Sequence, residues 1–163
     1  MIARTEERGY IEAKVNIGGG REMVMKDVRN NDRCIIDDTE LANIIWERVK
    51  HVVPQTFKGR TVVGLNERLR FLRYYPGQRF EPHMDGLYVR KNGERSHLTL
   101  QLYLNNNCEG GTTRFLDWDE ESFVDVVPEV GQILIFQHDI LHAGAEVTQG
   151  VKYCVRTDVM YRK

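Results

Sequence analysis

The residues of this chain best suited to chemistry are two histidines, one aspartate and one lysine. His83 and Asp85 stand two positions apart in the Pro/Gly-framed segment 79–86, and Lys152 follows His142 by ten residues. Two neutral imidazole nitrogens and one carboxylate oxygen form a ligand set that suits divalent iron with open coordination positions. A His-x-Asp pattern alone is common by chance, so the hypothesis of a metal site depends on the complete set.

Other histidines compete for these roles. His138 precedes His142 by four residues, which on a helix would place both on one face, as in helical zinc sites. The apolar run before the pair and Gly144 after it argue against a helix, so we interpret His138 as structural or as a neighbour of a ligand. We interpret His97, inside a predicted strand, as a packing residue, although it could line the site.

Composition limits the class of protein. The chain has 163 residues, 41% of them hydrophobic, and a formal net charge of −1. We expect a single domain over 1–163, with 1–58 as a supporting strand, loop and helix region and 59–163 as the core. The charge favours neither a nucleic acid nor an anionic membrane partner, and no apolar run is long enough for a membrane span. Three distant cysteines argue against disulfides and for a reducing cytoplasm.

The first third of the chain is predicted to support the core. A short strand is expected over 10–16 and a turn at 18–20, followed by a mixed loop over 21–36. Asp37 and Asp38 are candidate N-caps of a helix that ends at Pro54. Its apolar face is predicted to contain five residues at helical spacing: Leu41, Ile44, Ile45, Val49 and Val52.

From about residue 60 the pattern alternates with the period of β-strands. Strands are predicted over 68–75, 97–104, 112–116, 122–127, 131–137 and 151–161, with the arginines at 68, 70 and 73 on a solvated face. The 131–137 strand is nearly all apolar and is expected to be central and buried. In the 97–104 strand the leucines share one face, while His97, Thr99, Gln101 and Tyr103 share the other, which is either solvated or the lining of a cavity. This spacing of strands predicts a mainly β (α+β) sandwich or jelly-roll barrel.

Six short motifs follow one another over residues 66–161: Tyr75-Pro76-Gly77, His83-x-Asp85, Tyr103-Leu104-Asn105, Gly110-Gly111, His142 and Lys152. This order resembles the prolyl 4-hydroxylase-like iron(II)/2-oxoglutarate dioxygenases. The resemblance implies a double-stranded β-helix (jelly roll) with one or two N-terminal supporting helices. It also implies oxidative decarboxylation of 2-oxoglutarate to succinate, coupled to hydroxylation of an unactivated C–H bond.

The resemblance further implies a set of site residues. His83, Asp85 and His142 would ligate Fe(II), and Lys152 would pair with the distal carboxylate of 2-oxoglutarate, with Tyr103 as a second donor. Tyr75, Thr99 and Arg156 are further candidates for binding the cosubstrate, and Arg79 and Tyr88 for binding the substrate. Arg156 could instead form a structural ion pair with Asp158 or Glu129. Besides Fe(II) and 2-oxoglutarate, the implied cofactors are O2 and, in addition, ascorbate.

The substrate is the open part of the hypothesis. By resemblance it is a prolyl residue of a peptide or protein, and segments 15–36 and 86–95 are candidate lids over it. A small molecule such as a free amino acid is an alternative within the same chemistry. A jelly-roll module that binds a metal without catalysis is an alternative of another class. A nucleic-acid demethylase is disfavoured, because its last strand carries two spaced arginines where this chain has Lys152 and Arg156. The sequence does not indicate an oligomeric state.

Overall fold

The computed structural model describes residues 1–18, 21–119 and 121–163, and it is mainly β. Within these residues two helices occur, α1 (Ile2–Arg8) and α2 (Thr39–Val49). Neither of them has the length and apolar character needed to cross a bilayer. The first eight strands are β1 (Ile11–Glu12), β2 (Val15–Asn16), β3 (Glu22–Met23), β4 (Asp32–Asp37), β5 (Thr56–Phe57), β6 (Arg60–Leu65), β7 (Arg68–Tyr74) and β8 (Phe80–His83). The other eight are β9 (Arg95–Tyr103), β10 (Cys108–Gly110), β11 (Thr113–Leu116), β12 (Phe123–Val126), β13 (Ile133–Gln137), β14 (His142–Gly144), β15 (Val147–Gly150) and β16 (Lys152–Arg162).

The major sheet has eight strands and is organised around β16. Along one edge of β16, the first half of the strand pairs with β7 and the second half with β6. The other edge of β16 pairs with β9, which in turn pairs with β13. The sheet continues from β7 through β4 to β1. Apolar side chains of this sheet pack against α2 in the larger core cluster, which includes Leu69, Leu100 and Val155.

The minor sheet has four antiparallel strands in the order β12-β11-β14-β8. Side chains from both sheets line one cavity, to which β7, β9 and β16 contribute from the major sheet and β8, β11 and β14 from the minor sheet. The two sheets form the predicted jelly roll, and the expectation of one or two N-terminal helices is confirmed.

Several local predictions need correction. Residues 32–36, expected within a loop, lie in strand β4, because the apolar centre of this strand pairs with β7. Helix α2 ends at Val49, before Pro54, and Ile44 and Val52 are exposed. Asp38 is the N-cap, since its carboxylate accepts a hydrogen bond from the Leu41 N–H at 2.9 Å. The turn predicted at 18–20 falls partly on Gly19 and Gly20, which lie outside the described residues.

Two predictions about the major sheet were also wrong, one on the position of a strand and one on the exposure of its arginines. Strand β13 is not central, because within the described residues it pairs with β9 alone. Arg70 and Arg73 do not form a solvated face: Arg70 binds Asp158 at 3.1 Å, and Arg73 binds carboxylates from Glu6 and Asp32. A charged residue in an alternating pattern is therefore a poor indicator of exposure when a partner lies on a neighbouring strand.

A β-bulge changes the faces of β9. Leu98 pairs with Val159 but Ser96 pairs with Met160, so His97 is the extra residue. The ring of His97 consequently packs near Phe57 and Tyr161 in the larger core cluster. The prediction that His97 shares a face with Thr99 was wrong for this reason, although its interpretation as a packing residue agrees with these contacts.

Candidate active site

The minor sheet brings the two sequence-predicted histidines together. His83 ends β8 and His142 begins β14, and the two residues face each other as partners in the antiparallel ladder. Asp85 lies two residues after His83, where its backbone N–H donates to the carbonyl oxygen of His138 at 2.9 Å. One potential ligand atom from each of His83, Asp85 and His142 lies within 4.8 Å of the others.

Backbone carbonyl groups orient both imidazole rings. Nδ1 of His83 lies 2.8 Å from the Glu81 carbonyl oxygen, and Nδ1 of His142 lies 3.0 Å from that of Ile140. A carbonyl oxygen can only accept, so Nδ1 carries the proton in each ring and Nε2 keeps its lone pair. The two Nε2 atoms lie 3.9 and 3.7 Å from the Asp85 carboxylate oxygens.

The surroundings also set the protonation states. Burial, with the neighbouring His142, lowers the pKa of His83 to about 3, and burial lowers the pKa of His142 as well. Burial alone would raise the pKa of Asp85, but nearby charges, Arg156 foremost, outweigh it and lower that pKa to about 2. At neutral pH the site therefore presents two neutral nitrogens and one carboxylate.

Each oxygen of Asp85 has its own partner. Nη1 of Arg156 lies 2.9 Å from Oδ1, and the Thr99 hydroxyl donates to Oδ2. His138 contacts the Thr99 hydroxyl that binds Asp85. Its Nδ1 lies 3.0 Å from the Thr99 hydroxyl and its Nε2 lies 2.8 Å from the Ser96 hydroxyl. Both ring nitrogens of His138 are thus engaged by hydroxyl groups, which leaves the triad to His83, Asp85 and His142.

The donor set fits Fe(II). Two imidazole nitrogens and one carboxylate form a facial triad, the arrangement of non-haem iron oxygenases that keeps coordination positions open for other ligands. The rings are held by carbonyl groups and the carboxylate is hydrogen-bonded, as expected for groups positioned to hold a metal.

Lys152 lies in the same cavity as the triad and is 2% exposed. Its Nζ is 5.2 Å from the ring centre of Tyr74 and 5.5 Å from that of Tyr103. No carboxylate among the described residues pairs with it, and burial lowers its pKa. An ammonium group buried in this way is costly unless an anion joins it, so the cavity is suited to a carboxylate ligand.

The other candidate residues for cosubstrate binding differ in their contacts and in whether they line the cavity. Thr99 and Arg156 contact Asp85, and Arg156 also approaches Asp158 at 3.6 Å. The Tyr103 hydroxyl donates to Thr113 at 2.6 Å. Tyr75 is 40% exposed and does not line the cavity. The neighbouring Tyr74 lines it instead.

The two candidate substrate residues differ in position. Tyr88 lines an open cleft beside the triad. Arg79 lies outside this cleft and outside the cavity, and it forms an exposed ion pair with Glu81 at 2.5 Å. Of the two residues, Tyr88 therefore lies in the cleft that reaches the triad and Arg79 does not.

Sequence reasoning missed several lining residues. Arg29 reaches the cavity from the N-terminal region, Thr113 lines it from β11, and Tyr74 faces Lys152. Gln101, which was predicted on the polar face of its strand, does line the cavity and donates to Thr113 at 2.8 Å. Tyr74 could have been found from strand alternation, because the register pairs it with Lys152 on β16. Arg29 and Thr113 carry no sequence signal of this kind.

Comparison with known proteins agrees with this geometry. The family model described as the 2OG-Fe(II) oxygenase superfamily matches residues 69–157, more than half of the chain. The chain therefore belongs to the 2OG-Fe(II) oxygenase superfamily, and its resemblance to prolyl 4-hydroxylases is confirmed.

Individual relatives are more distant. The chain is 33% identical over 115 residues to "Probable prolyl 4-hydroxylase 8" of Arabidopsis thaliana, a match that covers 53% of this chain and 39% of that protein. Its fold is similar to that of a Pseudomonas putida prolyl-4-hydroxylase, with a TM-score of 0.70 at 18% identity over 99% of this chain and 83% of that one. It is also similar to a Trichoplax adhaerens prolyl hydroxylase in complex with a hypoxia inducible factor peptide fragment, with a TM-score of 0.73 at 15% identity over 97% and 74% of the two chains.

Acidification is expected to destabilise the protein when a chelator keeps it free of metal. The folded pKa of His83 lies below its unfolded value, so between these values the unfolded chain binds more protons and the free energy of unfolding decreases as the pH is lowered. Between about pH 7 and pH 5.5 this histidine should contribute a loss of about 1 kcal/mol. Urea unfolding of the wild type and of His83→Asn at both pH values measures the contribution, with the exposed His51→Asn as control. Equal losses in the wild type and His83→Asn would contradict it.

Proposed function

We propose that this 2-oxoglutarate-dependent dioxygenase hydroxylates a prolyl residue of a peptide or protein. The observation that carries the 2-oxoglutarate chemistry of this proposal is that the His83, Asp85 and His142 cluster shares one cavity with Lys152, a buried lysine that lacks a carboxylate partner among the described residues. A metal triad and a separate cation are the two features needed to hold a chelating 2-oxo acid by both ends.

Each side chain has a defined role in this proposal. His83 and His142 supply Nε2 atoms and Asp85 supplies an oxygen to Fe(II), which when bound would activate O2 beside the substrate. Lys152 binds the distal carboxylate of 2-oxoglutarate, and the Arg156 guanidinium and the Thr99 hydroxyl hold Asp85 in position. The rings of Tyr74 and Tyr103 keep water away from the ammonium group.

The choice of a prolyl substrate is supported by the prolyl 4-hydroxylase resemblance and by an open cleft that reaches His83 and Asp85. The peptide-bound Trichoplax relative shares the fold. A free amino acid or another small molecule is the alternative, and hydroxylation of such compounds without turnover of any proline peptide would favour it. Action in the cytoplasm and a requirement for ascorbate remain predictions.

The first test is anaerobic titration of Fe(II) into the protein in the presence of 2-oxoglutarate, followed by visible absorption. We expect the weak charge-transfer band of the iron chelate in the wild type, and its loss in Asp85→Ala and in Lys152→Ala. Metal binding without a band in the wild type would contradict the proposal and favour a metal-binding module without catalysis.

A further inference from the structure

A cleft that Lys152 does not line adjoins the triad. Its walls come from the N-terminal region between Lys14 and Arg33 and from the segment 84–88, and His83 and Asp85 lie where it meets the inner cavity. Lys152 lines only the inner cavity, whereas Lys14 lines only the outer cleft. The cleft therefore extends beyond the inner cavity, and the two share a boundary formed by Arg29, Phe80, His83, Asp85 and Arg156.

The cleft is basic, although the whole chain has a net charge of −1. Five basic side chains line it against two carboxylates, those of Glu22 and Asp85. The basic residues are Lys14, Arg29, Arg33, Arg70 and Arg156. Concentration of one charge sign in a cleft favours ligands of the opposite sign.

Three of these cations already have a carboxylate partner. Arg33 binds Glu22 at 2.5 Å, Arg70 binds Asp158 at 3.1 Å, and Arg156 binds Asp85 at 2.9 Å. Lys14 and Arg29 have none within the described part of the chain. The excess positive charge of the cleft therefore belongs to this pair.

Arg29 is the more informative of the two, because it is only 9% exposed. Its Nε donates to Asn31 at 2.8 Å and its Nη1 to the Lys14 carbonyl oxygen at 3.3 Å, and its guanidinium lies 4.4 Å from the ring centre of Phe80. These neutral partners do not neutralise the charge; burial lowers the pKa of Arg29, and the nearby Asp85 carboxylate acts in the opposite direction. A buried cation that has no carboxylate in direct contact is costly, so an anionic ligand at this point would be favoured.

Segment 84–88 contributes apolar side chains to the cleft. Met84, Leu87 and Tyr88 line it with large side chains that are between 37% and 54% exposed. A cleft that contains both exposed apolar side chains and cations without a carboxylate partner suits a ligand that has both apolar and acidic groups.

We propose that this cleft binds an acidic peptide segment, with Lys14 and Arg29 binding a carboxylate side chain next to the residue that is hydroxylated. The inference rests on the proposed function and adds a charge requirement for its substrate. It assigns specificity to the N-terminal region, because both cations belong to that region and not to the core strands.

The test is anaerobic binding to the full chain loaded with Fe(II) and saturating 2-oxoglutarate, so that the inner cavity is filled and no turnover occurs. Fluorescence anisotropy compares three labelled peptides: Gly-Gly-Pro-Asp-Gly, Gly-Gly-Pro-Asn-Gly and Gly-Gly-Pro-Lys-Gly. We expect the Asp peptide to bind at least about tenfold more tightly than the Asn peptide, and the Lys peptide to bind most weakly. The preference should shrink as salt is raised.

Variants separate the cleft from general electrostatics. Lys14→Glu, an exposed change, is expected to remove the preference for Asp, and Arg29→Gln is expected to weaken it without change of charge sign. Arg21→Glu is the matched control, since Arg21 is exposed in the same region but does not line the cleft. It should leave the preference intact, and the charge-transfer band should persist in Lys14→Glu.

Equal binding of the Asp and Asn peptides, or no measurable binding of any of the three, would overturn the inference. So would a preference that survives in both Lys14→Glu and Arg29→Gln. Failure of the proposed function looks different, because the wild type would then lack the charge-transfer band or would turn over no proline peptide, whatever its peptide preference in binding.

Discussion

Replacement of His142 by alanine is expected to lower the affinity for Fe(II) by more than about 100-fold and to abolish turnover. Its Nε2 lies 3.7 Å from the Asp85 carboxylate, and no other histidine of the described chain offers a free nitrogen at that point. Loss of an outer hydrogen-bond partner alone typically costs 10- to 100-fold in metal affinity, so loss of a ligand should cost more. Anaerobic calorimetric titration of Fe(II) measures the effect.

Two further variants make this result interpretable. His142 packs against Phe136, with ring centres 4.7 Å apart, so His142→Gln is included to limit the cavity that alanine would leave. His51→Ala removes an exposed histidine outside the site and should change nothing. Unchanged iron affinity and activity in His142→Ala would contradict the triad and make His138 the candidate ligand.

Replacement of Lys152 by methionine is expected to have two opposite effects. The KM for 2-oxoglutarate should rise by about 30-fold or more, because removal of one partner of a buried charge pair costs about 2–5 kcal/mol. The apparent affinity for the primary substrate should change far less. The free energy of unfolding without 2-oxoglutarate should rise by about 1 kcal/mol, because a buried unpaired cation is removed.

The opposite signs distinguish binding from general damage, since a merely disrupted protein would lose both stability and affinity. Steady-state kinetics with varied 2-oxoglutarate and urea unfolding provide the two measurements. Lys50→Met is the matched control, because Lys50 is exposed and paired with Glu47. If neither the KM for 2-oxoglutarate nor the stability changed in Lys152→Met, Arg156 would become the candidate partner of the carboxylate.

The sequence predicted the fold class and identified the three candidate ligands of the triad, because strand alternation and motif spacing are local signals. It did not predict strand β4, whose pairing with β7 joins segments far apart in the chain. It favoured Tyr75 over Tyr74, because the motif marks the end of the strand and not the face that meets Lys152. Faces depend on register, and a single bulge at His97 was enough to reverse one of them.

The role of Arg156 shows a different limit. Its position on the face of Lys152 was predicted, but its partner was left open between the cosubstrate and a structural ion pair. In the structure it contacts Asp85 and approaches Asp158, which also binds Arg70. Such a network joins two strands and a loop, so it could be recognised only after those elements were placed. Arg29 was missed for the same reason.

The pairing of His83 with His142 across β8 and β14 has a consequence for folding. These strands belong to the minor sheet, whose members have three or four residues and few ladder hydrogen bonds to resist local opening. A metal ion held by both histidines would act as a cross-link between neighbouring strands, closing a long stretch of chain into a loop. Amide hydrogen exchange should therefore slow on metal binding chiefly in β8, β11 and β14, while the major sheet, already protected by its long central strand, should change little.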